Sequence, residues 1–211
     1  MYSLWVISNK PERFNEIVRS LAPLPVSYFD GSGYSSFSGI VNACVTKCPT
    51  ETVIIMSDKV LPKREHVEKT LQLLDKGYAF VALYRFAFFG FKKELMRRIG
   101  FMDENHVGGG YEDNDFYIRL IEGNLSMYVT HDVPYTAQPS SWIPDRARTY
   151  HYKKWQYNPE TNVLARCLPE PELNYNLGPS VPCDFLPGRQ YSYTPLDQVS
   201  QYFYLNIKSG V

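Results

Sequence analysis

The chain has 211 residues, 44% of them hydrophobic, and its 22 Lys and Arg are balanced by 22 Asp and Glu. That length suits one domain with a real core, and the composition excludes a disordered chain. A net charge of zero provides no overall field for nucleic acid or an anionic membrane, so neither is an expected partner.

Met1 to Ser8 is apolar, but it lacks a basic flank and a small-residue cleavage site, and it stops at Asn9-Lys10-Pro11. Tyr2–Ser8 therefore reads as a buried strand and not as a secretion signal. A helix follows, with Phe14, Ile17, Val18 and Leu21 at i, i+3, i+4 and i+7 and Pro11 in its first turn. Val26–Asp30 is a second strand, ending in the turn-prone Gly31-Ser32-Gly33. Ile40, Val41, Cys44, Val45 and Cys48 share one face of the next helix. Thr52–Met56 is apolar and β-branched, the pattern of a central strand covered on both sides. Val67, Leu71 and Leu74 mark a further helix, with Gly77 placed to end it in the left-handed conformation. The longest apolar run, Tyr78 to Phe91, is broken by Arg85 and falls short of the roughly 18 residues of a spanning helix, so no membrane segment is expected.

Strands alternating with crossover helices predict an α/β fold, a central, mostly parallel mixed sheet flanked by helices. Beyond Pro134 the periodic patterns give way to Pro and Tyr. Residues 1–155 are expected to form the core, and 156–211 an irregular segment packed on it, with a last element near Val199 to Ile207. Cys44, Cys48, Cys167 and Cys183 show no metal spacing; Cys44 and Cys48 read as core residues, which points to a reducing, cytoplasmic setting.

Ligands of such sheets sit beyond the carboxyl ends of the strands, so Ser8-Asn9, Asp30 and Ser57-Asp58-Lys59 are the first candidates for chemistry. The strongest local signal lies further on, in Gly108-Gly109-Gly110-Tyr111-Glu112-Asp113-Asn114-Asp115-Phe116. Acids in a first helical turn suit the macrodipole, which accounts for one or two of them. Three carboxylates within four positions repel one another, a cluster suited to binding a metal, a sugar hydroxyl or a proton.

Phe88 to Leu95, then Ile99-Gly100-Phe101-Met102-Asp103-Glu104, then Gly109 to Phe116 with Arg119 and Gly123, resemble in order and spacing the second half of inverting GT-A glycosyltransferases. The resemblance covers about Tyr2 to Trp155. It implies a nucleotide-sugar donor, with UDP the commonest carrier, a glycan acceptor, and Mn²⁺ or Mg²⁺. By the same resemblance Ser8, Asn9, Arg13, Asp30, Ser57 and Asp58 bind the nucleotide, and Asp113 is the catalytic base. Glu112 then holds sugar hydroxyls, Gly109 and Gly110 admit the acceptor, and Tyr111 or Trp142 stacks on a sugar face. Asp58 takes the place of the family's metal-binding DxD pair, but the second acid is missing. His131 is the expected additional metal ligand and His151 the next candidate, while His66 and His106 are assigned no role. In the alternative, Lys59 replaces the metal charge. A retaining enzyme and a non-catalytic nucleotide-sugar-binding module are the rival readings, and further domains of a longer polypeptide are compatible with all of them.

Overall fold

The computed structural model describes residues 1–34, 36–106, 110–136 and 150–151, together with the backbone of three two-residue strands at 157–158, 163–164 and 194–195. Strands β1 (Tyr2–Ser8), β2 (Val26–Asp30), β3 (Thr52–Ser57), β4 (Phe80–Tyr84), β5 (Phe88–Lys92) and β6 (Met127–Val129) form one sheet in the order β2-β1-β3-β5-β4-β6. The pairs β1–β2, β1–β3 and β4–β6 are parallel, whereas β5 is antiparallel to both its neighbours. The sheet is therefore mixed and flanked by helices, as expected.

It is accompanied by helices α1 (Pro11–Leu21), α2 (Phe37–Lys47), α3 (Arg64–Asp75), α4 (Glu94–Ile99) and α5 (Glu112–Glu122). Pro11 opens α1, where its missing N–H has no intrahelical partner to lose. Ser36 caps α2 by accepting from Gly39 N–H. In α3 the imidazole of His66 accepts from Lys63 N–H, which gives that histidine a capping role. Gly77 follows α3 at φ 98°, a left-handed conformation that carries no steric cost for glycine. No described helix is long and apolar enough to cross a membrane.

The period-2 alternation of β3 builds two cores. Val53 and Ile55 pack on one face with Val41, Cys44, Phe89 and Phe116. Ile54 and Met56 pack on the other with Ile17, Leu21, Val67 and Leu74. Cys44 and Cys48 are free and buried, in keeping with a packing role. Cys167, Cys183 and nearly all of the expected C-terminal segment lie outside the described residues.

The hairpin β4–β5 was hidden inside the apolar run that Arg85 interrupts. Its second strand inserts between β3 and β4, so both faces and both edges of β5 are covered and no polar alternation marks it. At Gly90 in this strand a Cβ would lie 2.8 Å from Thr70 Cγ2 on α3, 3.0 Å from Ile54 Cγ1 and 3.2 Å from the Val53 carbonyl. The glycine lets α3 seat directly on the sheet. Gly90→Ala is expected to destabilise the chain by about 1–3 kcal/mol through overpacking, outweighing the entropic gain of replacing a glycine. Urea unfolding tests this; a raised midpoint would mean that α3 moves away without penalty.

Candidate functional site

The carboxyl ends of β1, β3 and β4 and the segment after β6 open onto one cavity of about 630 Å³. Ser8, Asn9, Ser57, Asp58, Lys59, Arg85, Glu112 and His131 all line it. Residues separated by more than a hundred positions thus converge at the sheet edge where parallel α/β folds bind ligands.

Asp58 is held from several sides. Ser8 Oγ donates to its Oδ2 at 2.7 Å, and its own N–H donates to the Ile7 carbonyl. Arg13 approaches from α1 and donates through Nε and Nη2 to the Asp58 carbonyl at 3.3 and 3.1 Å, and it also bonds Thr136 Oγ1. Arg13 therefore fastens the loop that carries Asp58 and does not itself line the cavity. Asp30 does not line it either: its Oδ1 accepts from Ser32 N–H at 2.9 Å, which holds its carboxyl below the usual range and shapes the turn that brings Gly31 to the cavity wall.

The acidic helix start occupies the opposite wall. Gly110 and Tyr111 have φ values of 100° and 68°, two successive left-handed residues that turn the chain into α5. Tyr111 stacks on His151 with ring centroids 4.7 Å apart. Asp115 and Arg119 form a buried ion pair along α5, and Arg119 Nη1 donates to the carbonyls of Ile99 and Phe101 at the end of α4. Asp115 thus serves packing, and Glu112 and Asp113 are left to the site. Glu112 lines the cavity, and its Oε2 is buried without a hydrogen-bond partner among the described residues. Burial, then the neighbouring Asp113, pushes the Glu112 pKa up to about 7. Burial raises Asp113 too, against the pull of Arg85 and His106.

Behind this wall the loop 100–106 is pinned by groups that the sequence did not single out. Asn42 on α2 exchanges hydrogen bonds with the Met102 backbone at 2.9 and 2.8 Å and donates to Glu104 at 2.8 Å. Tyr150 Oη donates to Asp103 Oδ2 at 2.6 Å, with its ring edge-on to His106. Gly109 and Trp142 lie outside the described residues.

Among the described residues no three His, Cys, Asp or Glu side chains gather to hold a metal, so there is no all-protein cage. Asp58 and His131 nevertheless line the same cavity, and Asp58 Oδ1 takes no hydrogen bond from a described residue. Partial burial, then the Arg85 charge, lowers the His131 pKa and favours the neutral imidazole that a metal needs. This donor set fits a cation held largely by ligand phosphate oxygens and water, as Mg²⁺ commonly is. Lys59 adds a fixed positive charge, and Tyr84, stacked on Tyr135 at 4.8 Å, forms an aromatic wall.

No family model matches the chain, and no curated protein matches it. Among solved structures, a Drosophila β-1,4-galactosyltransferase 7 variant in complex with manganese, UDP-Gal and xylobiose is similar over 60% of this chain and 64% of that one. The TM-score is 0.40 and the identity 10%, and the match spans less than two thirds of the galactosyltransferase.

The charge state of Glu112 gives this wall a pH signature. Its folded pKa lies above the ordinary carboxylate value, so the folded chain holds that proton more tightly, and stability falls as pH rises from about 4.5 to about 7. Glu112→Gln removes the buried charge at every pH. The variant is expected to match the parent near pH 4 and to exceed its stability by about 1–3 kcal/mol at pH 8. Urea unfolding across that range measures the gap; a gap independent of pH would show that Glu112 is solvated in the folded chain.

Proposed function

We propose that this chain is a GT-A-type glycosyltransferase that moves a hexose or deoxyhexose from a UDP-sugar to a glycan acceptor with inversion at the anomeric carbon. The observation that carries the reading is the meeting of Asp58 and Glu112 in one cavity at the carboxyl edge of the sheet, with Asp113 beside Glu112. It joins the resemblance of the segment from Phe88 to Gly123 to that superfamily.

The chemistry asks for a base on the acceptor hydroxyl and for positive charge beside the departing diphosphate. A carboxylate whose pKa is raised toward neutrality suits the first need, because a general base works best near the operating pH. Asp113 takes that role in this reading, and Glu112 holds sugar hydroxyls through its cavity-facing carboxyl. A second assignment, with Glu112 as the base, is favoured by its position on the cavity wall and its pKa of about 7. For the second need, Asp58 and His131 would hold a divalent cation, which supplies Lewis acidity at the diphosphate. Ser8 orients the Asp58 carboxylate, and Arg13 holds its loop.

Calorimetric titration with UDP, with and without Mn²⁺, tests the binding half of the proposal. UDP is expected to bind in the presence of Mn²⁺ and much more weakly after chelation, and Asp58→Asn should weaken the Mn²⁺-dependent component. Asp113→Asn should lower transfer by about 10²–10⁴-fold while leaving UDP affinity nearly intact, since a base acts in the transition state and holds little of the nucleotide. Parent-like turnover by Asp113→Asn with loss of turnover by Glu112→Gln would move the base to Glu112. Donor binding without transfer or donor hydrolysis would indicate a non-catalytic module, and a retained anomeric configuration in the product would exclude the inverting reading.

A further inference from the structure

Arg85 occupies a position where the backbone favours a different residue. Ala87 N–H donates to the Tyr84 carbonyl at 2.8 Å, so Arg85 and Phe86 are the central residues of the β4–β5 turn. Of these two only Arg85 has a positive φ, 41°. A positive φ at the first central position alone is the pattern of a II′ hairpin turn, where glycine is favoured because a Cβ is strained. As far as the turn is concerned, glycine would be the better residue. A non-glycine residue held left-handed persists only where the surroundings over-determine it, and such residues cluster at functional sites.

The surroundings here are specific. The turn is fastened to the Asp58 loop, with Ser57 N–H donating to the Ala87 carbonyl at 2.9 Å. Tyr84, directly before Arg85, is bridged to His131 and packs its ring 4.9 Å from that imidazole. Arg85 is thus set between the strand end that carries Asp58 and the segment that carries His131, and it lines the same cavity. Its charge reaches Asp113, Tyr117 and His131. Arg85 is solvent-exposed at this position, whereas Arg13 is committed to the Asp58 carbonyl, Arg97 to Glu51 and Glu94, and the buried Arg119 to Asp115. The Arg85 guanidinium makes no hydrogen bond or ion pair with any described residue. An arginine with uncommitted donors, at a strained turn and facing a cavity, is suited to an anion that offers two neighbouring oxygens to its planar fork.

We propose that Arg85 is the oxyanion-binding residue of the cavity, presenting its guanidinium fork to two oxygens of the bound ligand. Two sources supply that chemistry, the diphosphate of a nucleotide-sugar donor and the carboxylate of an acidic sugar. The choice of these ligands rests on the glycosyltransferase reading; the anion site itself does not.

The test compares the parent chain with Arg85→Lys, Arg85→Gln and Arg85→Gly by calorimetry against pyrophosphate, UDP, uridine and glucuronate, each with and without Mg²⁺. Arg85→Gln and Arg85→Gly are expected to lose about 10- to 100-fold in affinity for UDP and pyrophosphate, with uridine unaffected. Arg85→Lys should recover part of the loss, since it restores the charge without the fork. Arg85→Gly should melt at or above the parent, because it relieves the turn while removing the ligand contact. A loss confined to glucuronate would make the anion a sugar carboxylate. Parent-like anion binding by Arg85→Gly, absence of binding of every anion to the parent, or a melting temperature of Arg85→Gly well below the parent would each overturn the proposal. Arg85-dependent pyrophosphate binding in a parent that ignores UDP would sustain the anion site and remove the nucleotide-sugar reading.

Discussion

The buried guanidinium of Arg119 is the interaction on which the acidic wall depends. It is only 6% exposed, pairs with the fully buried Asp115, and donates to the carbonyls left open at the end of α4. A buried charge of this kind is tolerable only when its donors are well matched, and removing one partner typically costs about 3–5 kcal/mol. Here the matching partners belong to two different helices, so the pair also fixes the rotation and height of α5 against α4. Glu112 and Asp113 sit in the same first turn of α5 as Arg119's partner Asp115, and their placement follows from that lock. The Asn42 and Tyr150 hydrogen bonds to the intervening loop complete the same frame from α2 and from beyond β6.

Charge within the cavity is divided by wall. The strand-end wall carries Asp58 with Lys59 and Arg85, and the helix wall carries Glu112 with Asp113 behind it. Burial raises the pKa of both acids of the helix wall, and the Asp113 charge adds to the rise at Glu112, while Arg85 works in the opposite sense on Asp113 and His131. Protons are thus held most readily on one side and positive charge on the other. A polar ligand lying across the cavity would meet the two in sequence, a proton acceptor at one end and cationic groups at the other.

The first three strands and three helices were legible in the sequence because each has a clear period: Ile17 and Leu21 on α1, Cys44 and Cys48 on α2, Ile54 and Met56 on β3. The cavity residues Ser8, Asn9, Ser57 and Asp58 followed from strand ends alone, and the structure brings them together with Glu112 and His131. The β4–β5 hairpin was not legible, because a strand covered on every side has no polar period to read. Its turn also lacks the glycine or asparagine that usually signals one, since Arg85 takes the left-handed position. Arg85 had a single available signal, a lone charge inside an apolar run. The backing role of Arg13 and the pinning role of Asn42 depend on contacts across 45 and 60 residues, which no local pattern encodes.

The place of β5 in the sheet has a bearing on how the molecule opens. One half of the sheet, β2-β1-β3, leads to Asp58, and the other, β4-β6, carries the Arg85 turn and leads to His131; β5 is the strand between them, and backbone hydrogen bonds of Ser57, Lys59 and Leu61 to Ala87, Thr136 and Pro134 reinforce the join. Its amides are therefore shielded on both edges by strands from opposite halves. They can exchange with solvent only when the two halves part, an event equivalent to global unfolding, whereas the edge strand β2 can fray by itself. Hydrogen exchange at Phe89 and Phe91 should report the stability of the whole sheet, and the cavity, built from both sides of that seam, should dissolve as one unit and not half by half.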